Sequence, residues 1–270
     1  MKCLICNSLN KTSKIKFSYL YKDLKYYECM YCNFVFQSPI PSKEEFKNMY
    51  DKEYFESNYK MNNKLYNFRK IQYTEDKKLI LKHFRDSKEK KVLDYGCGNG
   101  NFLKLFNSQK YGYEFNQKAK ISKQVKRLNE KEVFKKKYDL IIMRGVIEHV
   151  PNIRLILKKL SKCSKKGSLF YITATPNIYN LTFFLSNKSF NQNHSAHIFH
   201  FNNVNLSLLF LQNNFLNIET NYQYANTPYA NFKKDFWNLK KQLTKYNKNS
   251  LSKSPASSGN MMSVIFRKMI

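Results

Sequence analysis

Apolar residues along the chain follow two spacings, one typical of buried strands and one typical of helices. Runs of strand type occur at Val92-Leu93, at Ile218 to Tyr224 and at Met262 to Phe266. Helical spacing is found from Val204 to Leu211 and from Asn152 to Lys165, where one face carries Ile153, Ile156, Leu157 and Leu160. The pattern therefore predicts both strands and helices in the part of the chain after residue 90.

The preceding part of the chain has a different pattern. From Ser42 to about Asp86 the spacing is helical, strictly at Phe46, Met49 and Tyr50 and less strictly at Leu79, Leu81 and Phe84. Residues 1–42 read as short alternating strands, and residues 245–259 are rich in Ser, Lys and Asn. We therefore predict a strand-forming N-terminal module, a helical connection and a loop near the C-terminus.

One segment, KKVLDYGCGNGNFLKLF, holds three of the seven glycines in the chain. Gly96, Gly98 and Gly100 alternate after the strand-type run and precede Phe102 and Leu103, which begin a helical spacing. Glycine permits positive φ and lets a ligand approach bare backbone, while a helix N-terminus offers unpaired N–H groups. The segment is therefore predicted to be a loop between strand and helix that cradles a cofactor.

The spacing of these glycines helps to identify the cofactor. A dinucleotide fingerprint requires G-x-G-x-x-G, whereas this chain has G-x-G-x-G preceded by Asp94. The pattern D-x-G-x-G-x-G after an apolar strand resembles motif I of class I S-adenosylmethionine-dependent methyltransferases. Three later segments resemble that family in the same order: Tyr111 to Glu114 its second strand, Tyr138 to Ile142 with the turn Val146 to Val150 its fourth, and LFYITATPN after Lys165 to Gly167 its fifth.

The resemblance implies an α/β fold with a doubly wound, Rossmann-like sheet of seven strands. It also implies that Glu114 accepts hydrogen bonds from the ribose hydroxyls of S-adenosylmethionine. The residues implied for the cofactor site are Asp94, Gly96, Cys97, Gly98, Gly100, Asn101, Phe102, Glu114, Phe115, Arg144, Gly145 and Glu148. From Glu114 to Asp139 there are only 25 residues, fewer than is usual in the family. The third strand is therefore predicted to be compressed, at Val125 to Leu128, and no residue is assigned to the adenine.

Four of the six cysteines form two C-x2-C pairs, Cys3 with Cys6 and Cys29 with Cys32, separated by 22 residues. Each pair can hold one side of a tetrahedral ion, as in a zinc ribbon. Disulfides and a redox role are the alternatives, although a redox motif would need only one pair. Four thiolates leave no position for water, so the predicted zinc is structural. Cys97 and Cys163 are predicted to be buried thiols.

The residues after the second pair, from Asn33 to Phe55, resemble an N-terminal zinc-binding module that precedes some class I methyltransferases. In that group the module covers the substrate side, and methyltransferases acting on sugars are prominent members. The predicted division is a zinc ribbon at 1–42, a helical cap and linker at 43–88, the cofactor-binding core at 89–177, and a C-terminal part with substrate contacts at 178–270.

Histidine suits general-base catalysis at neutral pH, and methyl transfer to a hydroxyl needs a base. His149 follows Glu148 at the end of the fourth strand, where open α/β sheets bind ligands. The segment NQNHSAHIFHFNN resembles the family's H-x-x-x-F segment, which fits His197, with His200 as a nearby alternative. A metal bound by His194, His197 and His200, or a purely structural role, stays open. The remaining catalytic candidate is Tyr54 on the cap, with Tyr50 beside it; His83 is predicted to be a surface or packing residue.

The chain has a formal charge of +29, with 48 basic and 19 acidic residues. Nucleic-acid surfaces favour arginine, but 42 of the basic residues are lysine and they are scattered along the sequence. A basic surface set by composition, or an anionic small-molecule substrate, is favoured over nucleic acid. No apolar run reaches the ~18 residues needed to span a membrane. With no signal-peptide pattern at the start, we expect a cytoplasmic protein without membrane insertion.

The hypothesis from the sequence is therefore an S-adenosylmethionine-dependent methyltransferase acting on a small molecule. The expected reaction is O-methylation of a nucleotide-linked sugar or another activated precursor of capsule or surface polysaccharide. One alternative is an RNA or protein methyltransferase that docks through the ribbon and the lysines. A second is a non-catalytic module that binds S-adenosylmethionine. The acceptor atom and the oligomeric state are not predicted.

Overall fold

The structure, a computed structural model, describes residues 3–6, 15–21, 24–42, 44–46, 63–178, 197–222, 231–233, 236–237, 240 and 261–270. The strands are β1 (Ile15–Tyr21), β2 (Leu24–Cys29), β3 (Val35–Gln37), β4 (Lys91–Tyr95), β5 (Gln109–Tyr113), β6 (Lys126–Leu128), β7 (Tyr138–Arg144), β8 (Ser164–Pro176), β9 (Phe199–His200), β10 (Phe215–Tyr222) and β11 (Met261–Lys268). The α-helices are α1 (Asn63–Leu81), α2 (Glu130–Val133), α3 (Ile153–Lys162) and α4 (Asn203–Leu211).

Seven strands form one large sheet in the order β10-β11-β8-β7-β4-β5-β6. The five strands from β8 to β6 pair in parallel, and β11 runs antiparallel to both of its neighbours. Residues 140–143 of β7 and 170–172 of β8 are inaccessible to solvent, as in parallel sheets that are covered on both faces. The predicted Rossmann-like sheet of seven strands is confirmed.

The compressed connection after β5 is held by one side chain rather than by a helix. The Arg127 guanidinium donates to the carbonyls of Ala119 (2.8 Å) and Asn116 (3.0 Å), which folds residues 114–125 against the short strand β6. The predicted third strand at Val125 to Leu128 is thus confirmed as β6.

The helices of the second half follow the apolar pattern. In α3 the four predicted apolar residues are buried, and the helix ends at Lys162, three residues before the predicted end. The fifth strand starts earlier than predicted, at Ser164, because the Lys165 to Gly167 segment belongs to β8 rather than to a turn before it. In α4 the side chains of Asn202 and Asn205 cap the first turn reciprocally.

The helix predicted after the glycine loop is wrong in its length, since only a single 3-10 turn, Leu103–Leu105, follows the loop. The reason lies in Asp86, whose carboxylate accepts hydrogen bonds from the backbone N–H groups of Asn107 and Ser108 and from the Ser108 hydroxyl (2.6 Å). Those bonds hold the chain extended toward β5, so the segment cannot continue as a helix.

The helical connection before the large sheet is described in part. α1 contributes the buried residues Leu79 and Ile80, while Leu81 is exposed. Phe46 lies in a short helical segment at 44–46, whereas Met49 and Tyr50 lie outside the described residues. None of the helices in the described part of the chain is long and apolar enough to cross a membrane.

A smaller antiparallel sheet of order β1-β2-β3-β9 contains the N-terminal strands. Its last strand comes from residues 199–200, far along the chain. Phe34, in the turn after the second cysteine pair, packs its ring 5.6 Å from Phe199 and 5.2 Å from Phe201. The predicted N-terminal strands are confirmed, and their core is continuous with that of the large sheet.

Candidate functional site

The glycine loop lies at the carboxyl end of β4 and is attached to the neighbouring strand β5. The N–H groups of Gly96 and Cys97 both donate to the carbonyl of Tyr113, at 2.8 and 3.0 Å. Gly96 has a φ of +86°, and a Cβ at this position would lie 2.5 Å from Val146 Cγ2 in the loop after β7. Residue 96 must therefore be glycine for conformation and for space, and the loop presents bare backbone.

Glu114 follows β5 directly and joins that strand to the glycine loop. One carboxylate oxygen accepts a hydrogen bond from Gly98 N at 2.9 Å and the other accepts one from Asn116 N at 3.0 Å. Burial raises the pKa of Glu114 above its ordinary value, while these backbone donors and Arg127 oppose the shift. The carboxylate is thus fixed at the edge of the loop, where it could accept further hydrogen bonds from a ligand.

Asp94, the last polar residue of β4, is a buried carboxyl group. Burial raises its pKa to about 7, although the nearby Arg144 guanidinium acts in the opposite direction. Its Oδ1 atom is buried and has no hydrogen-bond partner among the described residues. A buried carboxylate oxygen of this kind needs a partner. Together with the glycine cradle, it fits a ligand that brings a hydrogen-bond donor or a positive charge.

The other residues assigned to the cofactor have different surroundings. Arg144 donates from Nε to Asp76 Oδ2 (3.1 Å) and from Nη2 to Gln72 of α1, and its guanidinium lies over the Tyr73 ring. It therefore anchors α1 to the end of β7. Gly145, the next residue, has a φ of +61° and donates its N–H to Thr173 O.

Three further residues of the assignment complete the loop. Cys97 is buried, and a Cβ on Gly112 would lie 2.7 Å from its Sγ. Asn101 N donates to the Asn99 side chain, and Phe102 packs its ring 5.3 Å from Tyr73. Phe115 contacts Phe46 edge-to-face at 5.4 Å. These contacts show a packed loop and leave the predicted cofactor roles as predictions.

A cluster of acid and imidazole groups lies after β7, beside the loop of β4. Glu148 accepts a hydrogen bond from Thr175 Oγ1 at 3.1 Å, and burial raises its pKa to about 7. His149 Nε2 is 3.8 Å from Glu148 Oε1, and the His149 ring is 4.6 Å from the ring of His197. The ligand atoms of Glu148, His149 and His197 all lie within 4.8 Å of one another. The predicted pairing of the two histidine segments is therefore present in the structure.

His200 differs from the other two histidines. It is fully buried in β9, its ring is 6.1 Å from that of His197, and burial with the neighbouring His149 lowers its pKa to about 3. A histidine in this state stays neutral at physiological pH. Tyr54, Tyr50 and His194 lie outside the described residues. The predicted surface histidine, His83, forms an ion pair with Glu219 at 2.7 Å.

Residues of the N-terminal strands hold the His197 segment in place. The Tyr26 hydroxyl donates to His197 O at 3.0 Å, and Gln37 N donates to Ile198 O at 2.8 Å. On the other side, Ile198 N donates to Glu148 O at 3.0 Å. The sequence pattern did not indicate Tyr26 or Thr175 for this site, and no local signal could have, since Tyr26 is 171 residues from its partner.

The four N-terminal cysteines form a compact cluster. Sγ of Cys3 is 3.6 Å from that of Cys32, Sγ of Cys6 is 3.4 Å from that of Cys29, and all four are buried. All six cysteines of the chain carry free thiols. A tetrahedral ion with Zn–S bonds of ~2.3 Å would separate its sulfurs by about 3.8 Å. The cluster therefore has the donors and the size for a tetrahedral thiolate site.

Comparison with known proteins gives one family match. Residues 66–220 match the family described as "Methyltransferase domain". A probable (S)-tetrahydroprotoberberine N-methyltransferase 2 of Papaver bracteatum is 34% identical over 101 residues. The aligned region covers 30% of this chain and only 28% of that protein. The similarity thus extends over much less than the length of the curated relative.

Solved structures match over more of the chain at low identity. A chain of the Haloferax volcanii complex between the Trm112 methyltransferase activator and a methyltransferase has a TM-score of 0.57 at 10% identity, covering 85% of this chain and all of that chain. The YcgJ protein from Bacillus subtilis has a TM-score of 0.52 at 15% identity, covering 73% and 99%. A SAM-dependent methyltransferase from Archaeoglobus fulgidus has a TM-score of 0.50 at 17% identity, covering 81% and 100%. At these identities the likeness concerns the fold.

Proposed function

The chain belongs to the methyltransferase domain family, and from that premise we propose that it O-methylates a small, activated sugar with S-adenosylmethionine as donor. The observation that carries the proposal is the arrangement along one sheet edge. The glycine loop follows β4, Glu114 follows β5, and the Glu148–His149–His197 cluster follows β7. These strands are neighbours, so a donor site and a base lie at adjacent strand ends.

The proposed donor site consists of the glycine loop, Asp94 and Glu114. S-adenosylmethionine supplies a methyl group that its sulfonium sulfur makes electrophilic. The Asp94 carboxyl, with its buried oxygen, would face the cationic methionine end, and Glu114 would accept hydrogen bonds from the ribose hydroxyls. Because the Glu114 carboxylate is already bonded to Gly98 N, it is held in position before a ligand arrives.

The proposed acceptor site lies at the imidazole cluster. As the acceptor oxygen attacks the methyl carbon, its O–H bond breaks and the proton passes to an imidazole nitrogen of His197 or His149. The C–S bond breaks with its electron pair remaining on sulfur, which yields S-adenosylhomocysteine. His200, buried and neutral, would pack behind this pair rather than take the proton. Tyr54 on the cap stays a candidate for binding the acceptor.

We further propose that Cys3, Cys6, Cys29 and Cys32 hold a structural zinc ion. The cluster's four donors and its sulfur spacing support this assignment. The ion would stabilise the strands that carry Tyr26 and Gln37, and through them the position of the His197 segment. The ribbon would thereby act as a support for the acceptor site and not as a catalytic metal centre.

The proposed acceptor is anionic or nucleotide-linked, a precursor of capsule or surface polysaccharide in the cytoplasm. The charge of +29 supports an anionic acceptor, and the resemblance of residues 1–55 to the module of sugar methyltransferases supports the sugar. The curated plant relative is named for N-methylation of an alkaloid, which is also a small organic molecule.

The test is transfer of labelled methyl groups by the zinc-loaded chain to pools of nucleotide-linked sugars, with bulk RNA and total protein as parallel acceptors. The proposal predicts label in the sugar pool, an O-methyl product, and loss of turnover in His197→Asn but not in His83→Asn. Label only in RNA or protein would overturn the acceptor class. Binding of the donor without transfer to any pool would indicate a non-catalytic module.

A further inference from the structure

Three large aromatic side chains are exposed together near the C-terminal part of the chain. Phe232 is 74% exposed, Trp237 57% and Phe236 54%. The Phe232 and Phe236 rings stack with centroids 6.4 Å apart, and Trp237 lies edge-to-face with Phe236 at 6.3 Å. Single exposed apolar residues need no explanation, but a contiguous aromatic surface marks an interaction site.

The sequence around these residues has the pattern of a basic amphipathic helix. In NFKKDFWNLKKQLTK, residues 231–245, apolar residues at 232, 236, 239 and 243 follow spacings of four, three and four. Residues 232, 233, 236, 237 and 240 have helical backbone in the structure. At 100° per residue the four apolar positions fall on one narrow stripe. Five lysines, at 233, 234, 240, 241 and 245, lie away from that stripe, with a single acidic residue, Asp235.

Trp237 lies between the apolar stripe and the lysines. Lys240 Nζ is 5.2 Å from the centre of its ring, a cation–π contact at the border of the two surfaces. Tryptophan and lysine take such positions where an apolar phase meets a charged aqueous one, because each has an apolar body and a polar end.

We propose that this aromatic–lysine surface, residues 231–245, docks the protein on an anionic lipid surface. The apolar stripe would lie in the membrane interface, parallel to it and not across it, with the lysines against acidic headgroups. Each lysine near such a surface contributes about 1 kcal/mol, which corresponds to about fivefold in affinity. Five lysines and two phenylalanines on one short helix are therefore sufficient for reversible binding.

Two other partners fit the same residues less well. A nucleic-acid site would interleave aromatic residues with arginine, but residues 231–245 contain no arginine and the apolar residues form a continuous stripe. A second copy of the chain would bring two sets of lysines together, with only one acidic residue in the segment to compensate. Acidic headgroups supply the opposite charge and the apolar layer together. The inference does not depend on the proposed methyl acceptor.

Trp237 is the only tryptophan in the chain, so its fluorescence reports on this surface directly. The zinc-loaded protein is titrated with vesicles of phosphatidylglycerol and phosphatidylcholine, and with vesicles of phosphatidylcholine alone. We expect a blue shift of the Trp237 emission and co-sedimentation with the anionic vesicles only, both reduced by added salt. Phe232→Ser/Phe236→Ser and Lys240→Glu/Lys241→Glu should each weaken binding at least tenfold.

The matched control is Leu155→Ser/Leu216→Ser, which removes two similarly exposed apolar side chains elsewhere on the surface. This variant should bind anionic vesicles as the wild type does. The proposal is overturned if no blue shift occurs with anionic vesicles, or if the control loses as much binding as the phenylalanine variant. It is equally overturned if the shift is produced by single-stranded RNA but not by lipid, or by raising protein concentration without lipid.

Discussion

Replacing Gly96 by alanine tests whether the glycine loop must keep its observed shape. The φ of +86° would force alanine into the left-handed region, at a cost of about 1–2 kcal/mol. The new Cβ would lie 2.5 Å from Val146 Cγ2, so one of the two groups has to move. Overpacking of this type costs about 1–3 kcal/mol. We expect a total loss of about 2–5 kcal/mol in the free energy of unfolding.

Gly167 provides the matched control for backbone strain. Its φ is +82°, and a Cβ there would meet nothing within 4 Å. Gly167→Ala should therefore lose only about 1–2 kcal/mol, the conformational part of the cost. The additional loss in Gly96→Ala measures the clash with Val146. Adding Val146→Ala to Gly96→Ala should recover part of that additional loss.

Urea denaturation followed by circular dichroism gives the stabilities, and calorimetric titration with S-adenosylhomocysteine gives the affinities. Gly96→Ala should bind the nucleoside at least tenfold more weakly, since its loop has moved, while Gly167→Ala should bind as the wild type does. Equal stabilities for the two variants would contradict the role of Val146. Unchanged affinity in Gly96→Ala would show that the loop does not touch the ligand.

Three further changes have expected outcomes. Because burial raises the pKa of Asp94 to about 7, ionising it destabilises the folded state as pH rises toward 7, so the stability of Asp94→Asn relative to wild type should increase from pH 5.5 to 7 and then level off in urea titrations. Asp76→Ala leaves the buried Arg144 guanidinium without its carboxylate and should cost about 3–5 kcal/mol by the same assay, against less than about 1 for the exposed pair partner Glu75→Ala. Removing zinc with a chelator should lower the thermal midpoint and abolish turnover, and adding zinc should restore both; turnover unaffected by complete metal removal would contradict the supporting role of the ribbon.

The parts of the fold that could be predicted from the sequence are those fixed by local chemistry. Three alternating glycines after a buried strand leave few alternatives to a tight turn, and Glu114 was located by its place at the end of the next strand. The apolar stripe from Ile153 to Leu160 was sufficient for α3. The helix after Gly100 was mispredicted, because its apolar spacing competes with the hydrogen bonds to Asp86, which lies before the loop.

What could not be predicted depends on contacts between distant parts of the chain. Tyr26 lies 171 residues from the carbonyl it supports, and β9 joins the ribbon sheet from the far side of the core. Arg144 was assigned to the cofactor from its position after the fourth strand. Its guanidinium contacts Asp76 and Gln72, which α1 presents 68 and 72 residues away.

The central claim is that the glycine loop and Glu114 hold the nucleoside of the methyl donor. Calorimetric titration of S-adenosylhomocysteine into zinc-loaded wild type, Glu114→Gln and the exposed control Glu130→Gln tests it directly. Glutamine keeps an oxygen for Gly98 N but loses the charge, and hydrogen bonds to charged groups contribute about 1.5–3 kcal/mol. We predict saturable one-site binding in wild type and Glu130→Gln, and at least tenfold weaker binding in Glu114→Gln. No heat with the wild type, or equal affinity in all three proteins, would contradict the claim.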